Sequence, residues 1–176
     1  MVEPRRRGEA QDASLERAPL KGVRILIVES GYYQDIADTL LAGARRALDA
    51  AHAAYDVVTV PGALEIPQAI VIALDAAKSG VKSGAKAYHG VVALGCVIRG
   101  ETSHYDIVAG ESARALMEIG TLRKVPVGNG ILTVDTAAQA KVRAALDQGD
   151  KGGTAAKAAL ALVRLKRGLA GPRKPR

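Results

Sequence analysis

Four short apolar segments, each followed by a stretch with helical spacing, constrain the fold of this chain most strongly. The apolar segments lie at residues 23–28, 55–60, 88–95 and 130–134. The helical segments lie at residues 36–51, 65–78, 102–119, 136–146 and 153–167. Apolar runs that alternate with helices indicate a parallel sheet covered on both faces. We therefore predict a three-layer αβα sandwich, of the α/β class, around a four-stranded parallel sheet.

The composition indicates one packed domain with an aliphatic core. The chain has 176 residues, 48% of them hydrophobic, which suffices for one domain and is short for two. It contains no Phe, no Trp and only five Tyr. We place the domain at residues 21–168. Residues 1–20 and the basic end at residues 169–176 lack periodicity, so both are predicted to be disordered or loosely attached tails.

Several classes of protein are excluded by simple counts. A single cysteine, Cys96, cannot form an internal disulfide, and the three histidines lack metal-ligand spacing. No apolar stretch follows the arginines at residues 5–7, and no run is long enough to span a bilayer. We expect a cytoplasmic protein without a metal, a disulfide or a membrane partner.

The formal net charge of +7 comes mostly from the C-terminal end, where residues 164–176 contain six basic side chains and no acidic one. Such an end is more often solvated than a specific reader of nucleic acid, and no aromatic platform or nucleic-acid motif accompanies it. We expect no nucleic-acid partner. Binding that falls steeply with salt and is lost with residues 164–176 would support the alternative.

The segments that follow the strands carry most of the unusual polar and aromatic residues. Ligands of parallel α/β sheets bind at the carboxyl ends of the strands. Tyr32 follows the first strand and is either a core residue or a ring on which a flat ligand stacks. Pro61 and Gly62 follow the second strand and set a turn; Glu65 behind them is either part of a plain corner or an acceptor for hydroxyl groups.

The segment GCVIRGETSHYDIV, residues 95–108, changes from apolar to polar within a few residues. Gly100 permits close backbone approach, and a helix that starts at Thr102 would offer free N–H groups to an anion. Alternatively, Thr102 and Ser103 only cap this helix, with Asp106 completing a capping box. The two interpretations are compatible, because capping one N–H leaves others free.

His104 lies one turn into that predicted helix. A lone histidine is more often structural than catalytic, but this one is next to the candidate anion site and can exchange protons near neutral pH. His52, in a loop at a helix end, and His89, at a strand start, have no comparable neighbours.

Four segments, in this order and spacing, resemble 6,7-dimethyl-8-ribityllumazine synthases: VPGALEIPQAI, ALGCVIRGETSHYDIV, PVGNGILTVDTAAQA and DKGGTAAKAAL. The LG-x-VIRGET-x-H stretch is the most specific part. The resemblance implies a flavodoxin-like strand order, 2-1-3-4, and a transferase that needs no cofactor. The implied reaction condenses 5-amino-6-(D-ribitylamino)uracil with 3,4-dihydroxy-2-butanone 4-phosphate, releases phosphate and water, and is the penultimate step of riboflavin biosynthesis.

The resemblance also implies roles for particular residues. His104 matches the family's proton-transfer residue. The family's phosphate-binding residues are matched by a loop and an arginine: Gly100, Glu101, Thr102 and Arg143. The planar fork of a guanidinium suits a phosphate group. The pyrimidine and ribityl groups are matched by Tyr32, Ala63, Leu64, Glu65, Cys96, Val97, Ile98, Asn129 and Lys151.

Finally, the resemblance implies a pentamer with active sites between subunits, in which the neighbour supplies Asn129, Arg143 and Lys151. It leaves a decamer or a 60-subunit shell open. Gly31 and Asn129 depart from the common pattern, which has Arg and Phe there. An alternative is therefore a paralogue that only binds riboflavin or lumazine, although the retained His104 and Arg143 argue against it.

Overall fold

The computed structural model describes residues 19–78 and 87–170. Residues 1–18 and 171–176, which hold most of the predicted tails, lie outside the described residues, as does nearly all of the predicted loop 79–87. Four strands and five helices are described: β1 (Arg24–Ser30), α1 (Gln34–Ala50), β2 (Ala54–Val60), α2 (Glu65–Lys78), β3 (Gly90–Ile98), α3 (His104–Leu122), β4 (Val127–Val134), α4 (Ala137–Ala144) and α5 (Lys151–Ala170).

The strands form one parallel sheet in the order β2-β1-β3-β4, which confirms the predicted flavodoxin-like order. The apolar sides of α1, α4 and α5 pack on one face of the sheet, and those of α2 and α3 pack on the other. The three-layer αβα sandwich is therefore confirmed. Because all four strands run in the same direction, their carboxyl ends lie along one edge of the sheet.

Burial differs between the central and the outer strands. Residues 25–28 of β1 and 91–94 of β3 are fully buried, as expected for strands covered on both faces. The expectation of continuous burial is wrong for β2, whose residues are all intermediate or exposed, and β4 alternates between buried and less buried positions. Both are edge strands, with a neighbour on one side only and less complete cover by helices.

The core is aliphatic, as predicted, and small residues let the backbone of α5 approach its neighbours. A Cβ added at Gly152 would overlap the carbonyl oxygen of Leu40 in α1. A Cβ added at Gly128 in β4 would likewise overlap the carbonyl oxygen of Ala155 in α5. These contacts require glycine and seat α5 directly on α1 and β4.

Helix α3 differs from its prediction at both ends. It begins at His104, because the three residues before it form bends and a turn, and it continues past residue 119, where it was predicted to end, to Leu122. The Arg123 N–H closes the end on the carbonyl of Ile119. At the other end, His104 is thus the first residue of α3 rather than a residue one turn inside it.

Candidate active site

A cavity of about 520 Å³ opens at the carboxyl edge of the sheet, between the segments that follow β1, β2 and β3. Most of the predicted site residues line it: Tyr32, Ala63, Leu64, Glu65, Cys96, Val97, Ile98, Gly100, Thr102 and His104. Four further lining residues were not among the predicted site residues: Tyr33, Gly62, Tyr105 and Val108. Their signal was only that they are neighbours of the predicted residues in the chain or lie one helical turn away.

The end of β1 presents two tyrosines to the cavity in different ways. Tyr32 is 71% exposed, and its ring packs edge-on against Tyr33, with the ring centroids 4.9 Å apart. Tyr33 is partly buried, and burial raises the pKa of its phenol. The Tyr32 N–H donates to the hydroxyl of Ser30, which in turn donates to the carbonyl of Pro61. These bonds connect the end of β1 to the turn after β2.

The turn after β2 supplies one wall of the cavity. Glu65 is the first residue of α2, and its carboxylate folds back over Gly62, where an added Cβ would lie 2.8 Å from Oε2. Ala63 is buried against Val97 and Val108, so this wall is apolar beneath an exposed carboxylate.

The end of β3 supplies the floor. The residues from Cys96 to Ile98 were expected just after the strand but are its last three. Burial raises the pKa of the Cys96 thiol to about 11, so the thiol stays protonated at neutral pH and is no nucleophile there.

The loop from Gly100 to Ser103 follows. Within the described chain, a Cβ at Gly100 would meet nothing within 4 Å, so packing does not require a glycine there. The predicted capping box is wrong: Ser103 makes no side-chain cap, and its backbone is already helical. The hydroxyl of Thr102 instead accepts the His104 N–H at 3.4 Å.

Arg99 was given no role from the sequence, yet it pairs with residues on both sides of the loop. Its guanidinium reaches Asp106 at 3.2 Å and Asp135 at 3.4 Å, and it stacks over the ring of Tyr105 at 4.0 Å. The hydrogen bond that the Arg99 guanidinium donates to Asp106 raises the pKa of Arg99 above its ordinary value. Asp106, expected as half of a capping box, is therefore occupied by an ion pair. Nothing in the spacing of Arg99 and Asp135 indicates their contact, because it arises only when β3 and β4 pair.

The other two histidines lie outside the cavity lining and lack the neighbours of His104, as predicted. Nδ1 of His89 accepts the Arg24 N–H at 3.1 Å, beside the sheet and far from the cavity lining. His52 is exposed in the turn after α1, with a positive φ of 54°.

Two lining residues, Glu65 and His104, carry side chains that can take part in acid–base chemistry. Among the described residues, no group of three or more His, Cys, Asp and Glu side chains is placed to hold a metal ion.

No helix in the described ranges combines the length and the apolar character needed to cross a bilayer.

The family model for 6,7-dimethyl-8-ribityllumazine synthase matches residues 22–167. The chain belongs to this lumazine synthase family. It is 61% identical over 149 residues to the 6,7-dimethyl-8-ribityllumazine synthase of Azorhizobium caulinodans, covering 85% of this chain and 90% of that protein. It is 58% identical to the synthase of Methylobacterium sp. (strain 4-46) over all of this chain and 92% of the relative. It is also 58% identical to synthase 1 of Rhizobium meliloti, over 86% of this chain and 97% of that protein.

The remaining residues that the resemblance to lumazine synthases selects do not line the cavity. Glu101 is exposed beside Gly100. Arg143 is exposed on α4, and Lys151 is exposed as the first residue of α5. Asn129 is exposed on β4, where its Oδ1 accepts the Ile131 N–H at 2.9 Å and its side chain borders an apolar groove between α3 and α5. A single chain thus brings together only part of the residue set.

Proposed function

We propose that the chain catalyses the lumazine synthase reaction in this cavity, as a cytoplasmic pentamer with active sites between subunits. It condenses 5-amino-6-(D-ribitylamino)uracil with 3,4-dihydroxy-2-butanone 4-phosphate to 6,7-dimethyl-8-ribityllumazine, with release of phosphate and water. One observation carries the proposal: an exposed ring, a carboxylate and a histidine-bearing loop, which follow three different strands, converge on one cavity. Membership of the lumazine synthase family supports the same reaction.

The pyrimidine and its ribityl chain bind at the β1 and β2 side. The exposed face of Tyr32 stacks on the flat pyrimidine ring. The carboxylate of Glu65 accepts hydrogen bonds from ribityl hydroxyls, and Ala63 and Leu64 pack along the chain. Backbone groups of β3 near Cys96 complete the pyrimidine side, because a protonated thiol is a weak hydrogen-bonding partner.

The phosphate of the butanone binds at the β3 side. The loop Gly100, Glu101 and Thr102 precedes the first turn of α3, whose backbone N–H groups and dipole favour an anion. The open space at Gly100 lets the phosphate approach the backbone closely. His104, the first residue of the helix, then lies next to the reacting ketone.

The chemistry needs proton transfers more than it needs a strong nucleophile. The 5-amino group of the pyrimidine attacks the ketone carbonyl, and the adduct loses water to form an imine. Phosphate is then eliminated, and the ribitylamino nitrogen attacks the remaining carbonyl and expels a second water as the ring closes. His104 accepts and returns protons during these steps. Holding the two substrates together in one cavity supplies much of the acceleration.

The neighbouring subunit supplies Asn129, Arg143 and Lys151. Their exposure outside the chain's own cavity supports this assignment. Asn129 also borders a groove lined by the exposed apolar side chains Met117, Leu165 and Leu169, and apolar patches of this kind mark protein interfaces. Arg143 would then close the phosphate site of the adjacent chain.

The test is an assay on the purified full chain whose oligomer mass has been measured. We expect lumazine to form from the two substrates, followed by its absorbance, without added metal. A correctly assembled oligomer that gives no rate above the uncatalysed background would overturn the enzyme assignment. Activity from a stable monomer would overturn the shared site instead.

A further inference from the structure

Arg99 joins three elements around the loop of residues 100–103. It follows β3, and its backbone N–H donates to the carbonyl of Val134 at the end of β4. Its side chain reaches forward to Asp106 in the first turn of α3 and across to Asp135, next to the start of α4. The backbone and the side chain of one residue thus clamp both ends of the loop to the β4–α4 corner.

Among residues 19–78 and 87–170, the loop has few other anchors. Residues 100–103 are all exposed, and the Ser103 side chain forms no cap. The Thr102 hydroxyl makes one long bond of 3.4 Å to the His104 N–H. Tyr105, which lines the cavity, lies under the Arg99 guanidinium at 4.0 Å. The position of the loop relative to the cavity therefore depends on Arg99.

The positive charge of Arg99 also affects the electrostatics of the loop of residues 100–103. Asp106 and Asp135 are two carboxylates close to a loop that is to receive a phosphate dianion. Unpaired, they would repel it, because like charges at such distances disfavour each other even in a partly solvated setting. The guanidinium lies between the two carboxylates and offsets them.

We propose that Arg99 is a positioning residue for the phosphate loop, holding Gly100 to Thr102 in place for the butanone phosphate while neutralising Asp106 and Asp135. It acts through the loop and need not touch the substrate. The proposal rests on the proposed function, since that assigns the phosphate to this loop. It predicts a defect confined to the phosphorylated substrate.

The test compares Arg99→Met, Arg99→Lys and the matched control Arg114→Met. Arg114 lies on α3, the helix whose first turn contacts Arg99. It is exposed and pairs with two carboxylates, Glu111 and Glu118, but it does not line the cavity. Surface ion pairs are individually weak, so we expect moderate effects: KM for the butanone phosphate rises about tenfold in Arg99→Met and about threefold in Arg99→Lys. Lysine keeps the charge but cannot reproduce the planar fork.

KM for the pyrimidine should stay within about twofold in all three variants, and Arg114→Met should match the unsubstituted chain. If Arg99→Met does not assemble, the KM of Arg99→Lys for the butanone phosphate decides the test. An unchanged KM for the butanone phosphate in Arg99→Lys, or equal rises in both KM values, would overturn the proposal.

Calorimetric titration with inorganic phosphate separates this inference from the proposed function. We expect phosphate binding in the unsubstituted chain and in Arg114→Met, and weaker binding in the order Arg99→Lys, then Arg99→Met. Equal phosphate binding in all four proteins would refute the role of Arg99, whatever the lumazine assay shows. Absence of lumazine formation with graded phosphate binding would refute only the proposed function.

Discussion

The guanidinium of Arg46 donates to the carboxylate of Asp150 at 2.8 Å, although 104 positions separate the two residues. Asp150 stands directly before α5, and its Oδ1 also accepts the N–H of Gly153 in the first turn of that helix. Its φ of 38° is in the left-handed region, and its side chain lies against Gly43 of α1. One carboxylate therefore caps α5 and attaches it to α1, which explains why DKGG opens this segment.

Asp150→Ala should lower the free energy of unfolding by about 1–3 kcal/mol, since it removes a helix cap and an ion pair and places alanine at a positive φ. Asp150→Asn keeps a capping oxygen and tolerates that φ, so its cost should be below about 1 kcal/mol, similar to Arg46→Ala. Urea denaturation of the three variants measures this. Equal losses for alanine and asparagine would show that the cap contributes nothing.

His104→Ala should slow turnover by less than the roughly 10²- to 10⁴-fold that loss of a general acid or base typically costs. An amine and a ketone already react spontaneously, and positioning in the cavity supplies much of the effect. Single-turnover kinetics at saturating substrates measure the step. Abolished activity with intact substrate binding would contradict the expectation.

Arg143→Ala should weaken use of the butanone phosphate and leave pyrimidine affinity within about twofold, because a guanidinium clamps phosphate in particular. A selective pyrimidine defect would mean that the role of Arg143 is wrongly assigned.

Co-assembly of Arg143→Ala chains with a second variant tests whether active sites are shared between subunits. In a random equal mixture with His104→Ala chains, about a quarter of shared sites regain both residues, so activity at low butanone phosphate should exceed that of either variant. Sites confined to one chain would show no gain.

Stability should fall as the pH drops from about 7 towards 5, in part through His89. Burial and the nearby charge of Arg167 lower the pKa of His89, whose Nδ1 must be unprotonated to accept the Arg24 N–H. The unfolded chain, with an ordinary histidine pKa of about 6.5, then binds the proton more readily than the folded chain. The contribution of His89 to the free energy of unfolding is therefore complete above about pH 6.5 and is lost progressively below it.

Urea midpoints between pH 7.5 and 5 check this expectation. His89→Asn should flatten the dependence, whereas His52→Asn, in an exposed turn that tolerates asparagine at positive φ, serves as the matched histidine removal. An identical pH slope in His89→Asn and the unsubstituted chain would exclude His89 as the cause.

Cys96 should react slowly with iodoacetamide. With a pKa of about 11, its thiolate fraction at pH 8 is about one in a thousand, so alkylation should be at least about 100-fold slower than for a free cysteine. The rate should rise about tenfold per pH unit, and the pyrimidine substrate should slow it further by filling the cavity. Cys96 is the single cysteine, so the intact mass reports it alone. Labelling at the rate of the urea-unfolded chain would contradict the burial.

The sequence predicts the layers of this fold because the central strands are apolar on both faces. The apolar runs around Ile27 and Val92 fit strands that are buried on both faces. Because ligands of parallel sheets bind at the carboxyl ends of the strands, most of the cavity lining can then be located in the sequence. The resemblance supplied the strand order and several site residues.

What the sequence did not predict depends on contacts between distant segments. The ion pair from Arg99 to Asp135 needs β3 and β4 in register, where Ile98 lies opposite Val134. The failure of the capping box has a more local origin, because Asp106 pairs with Arg99, seven positions before it, and does not bond to Ser103. The exposure of β2 follows from its place at the edge, which its composition does not reveal.

The backbone contacts of α5 have a consequence for how the chain can vary. At Gly152 and Gly128 the helix meets α1 and β4 without intervening side chains, so its height above the sheet is set by main-chain dimensions. A side chain at either glycine would overlap a neighbouring carbonyl oxygen and push the helix away. The distance of Lys151, the residue at the N-terminus of α5, from the sheet therefore depends on both glycines.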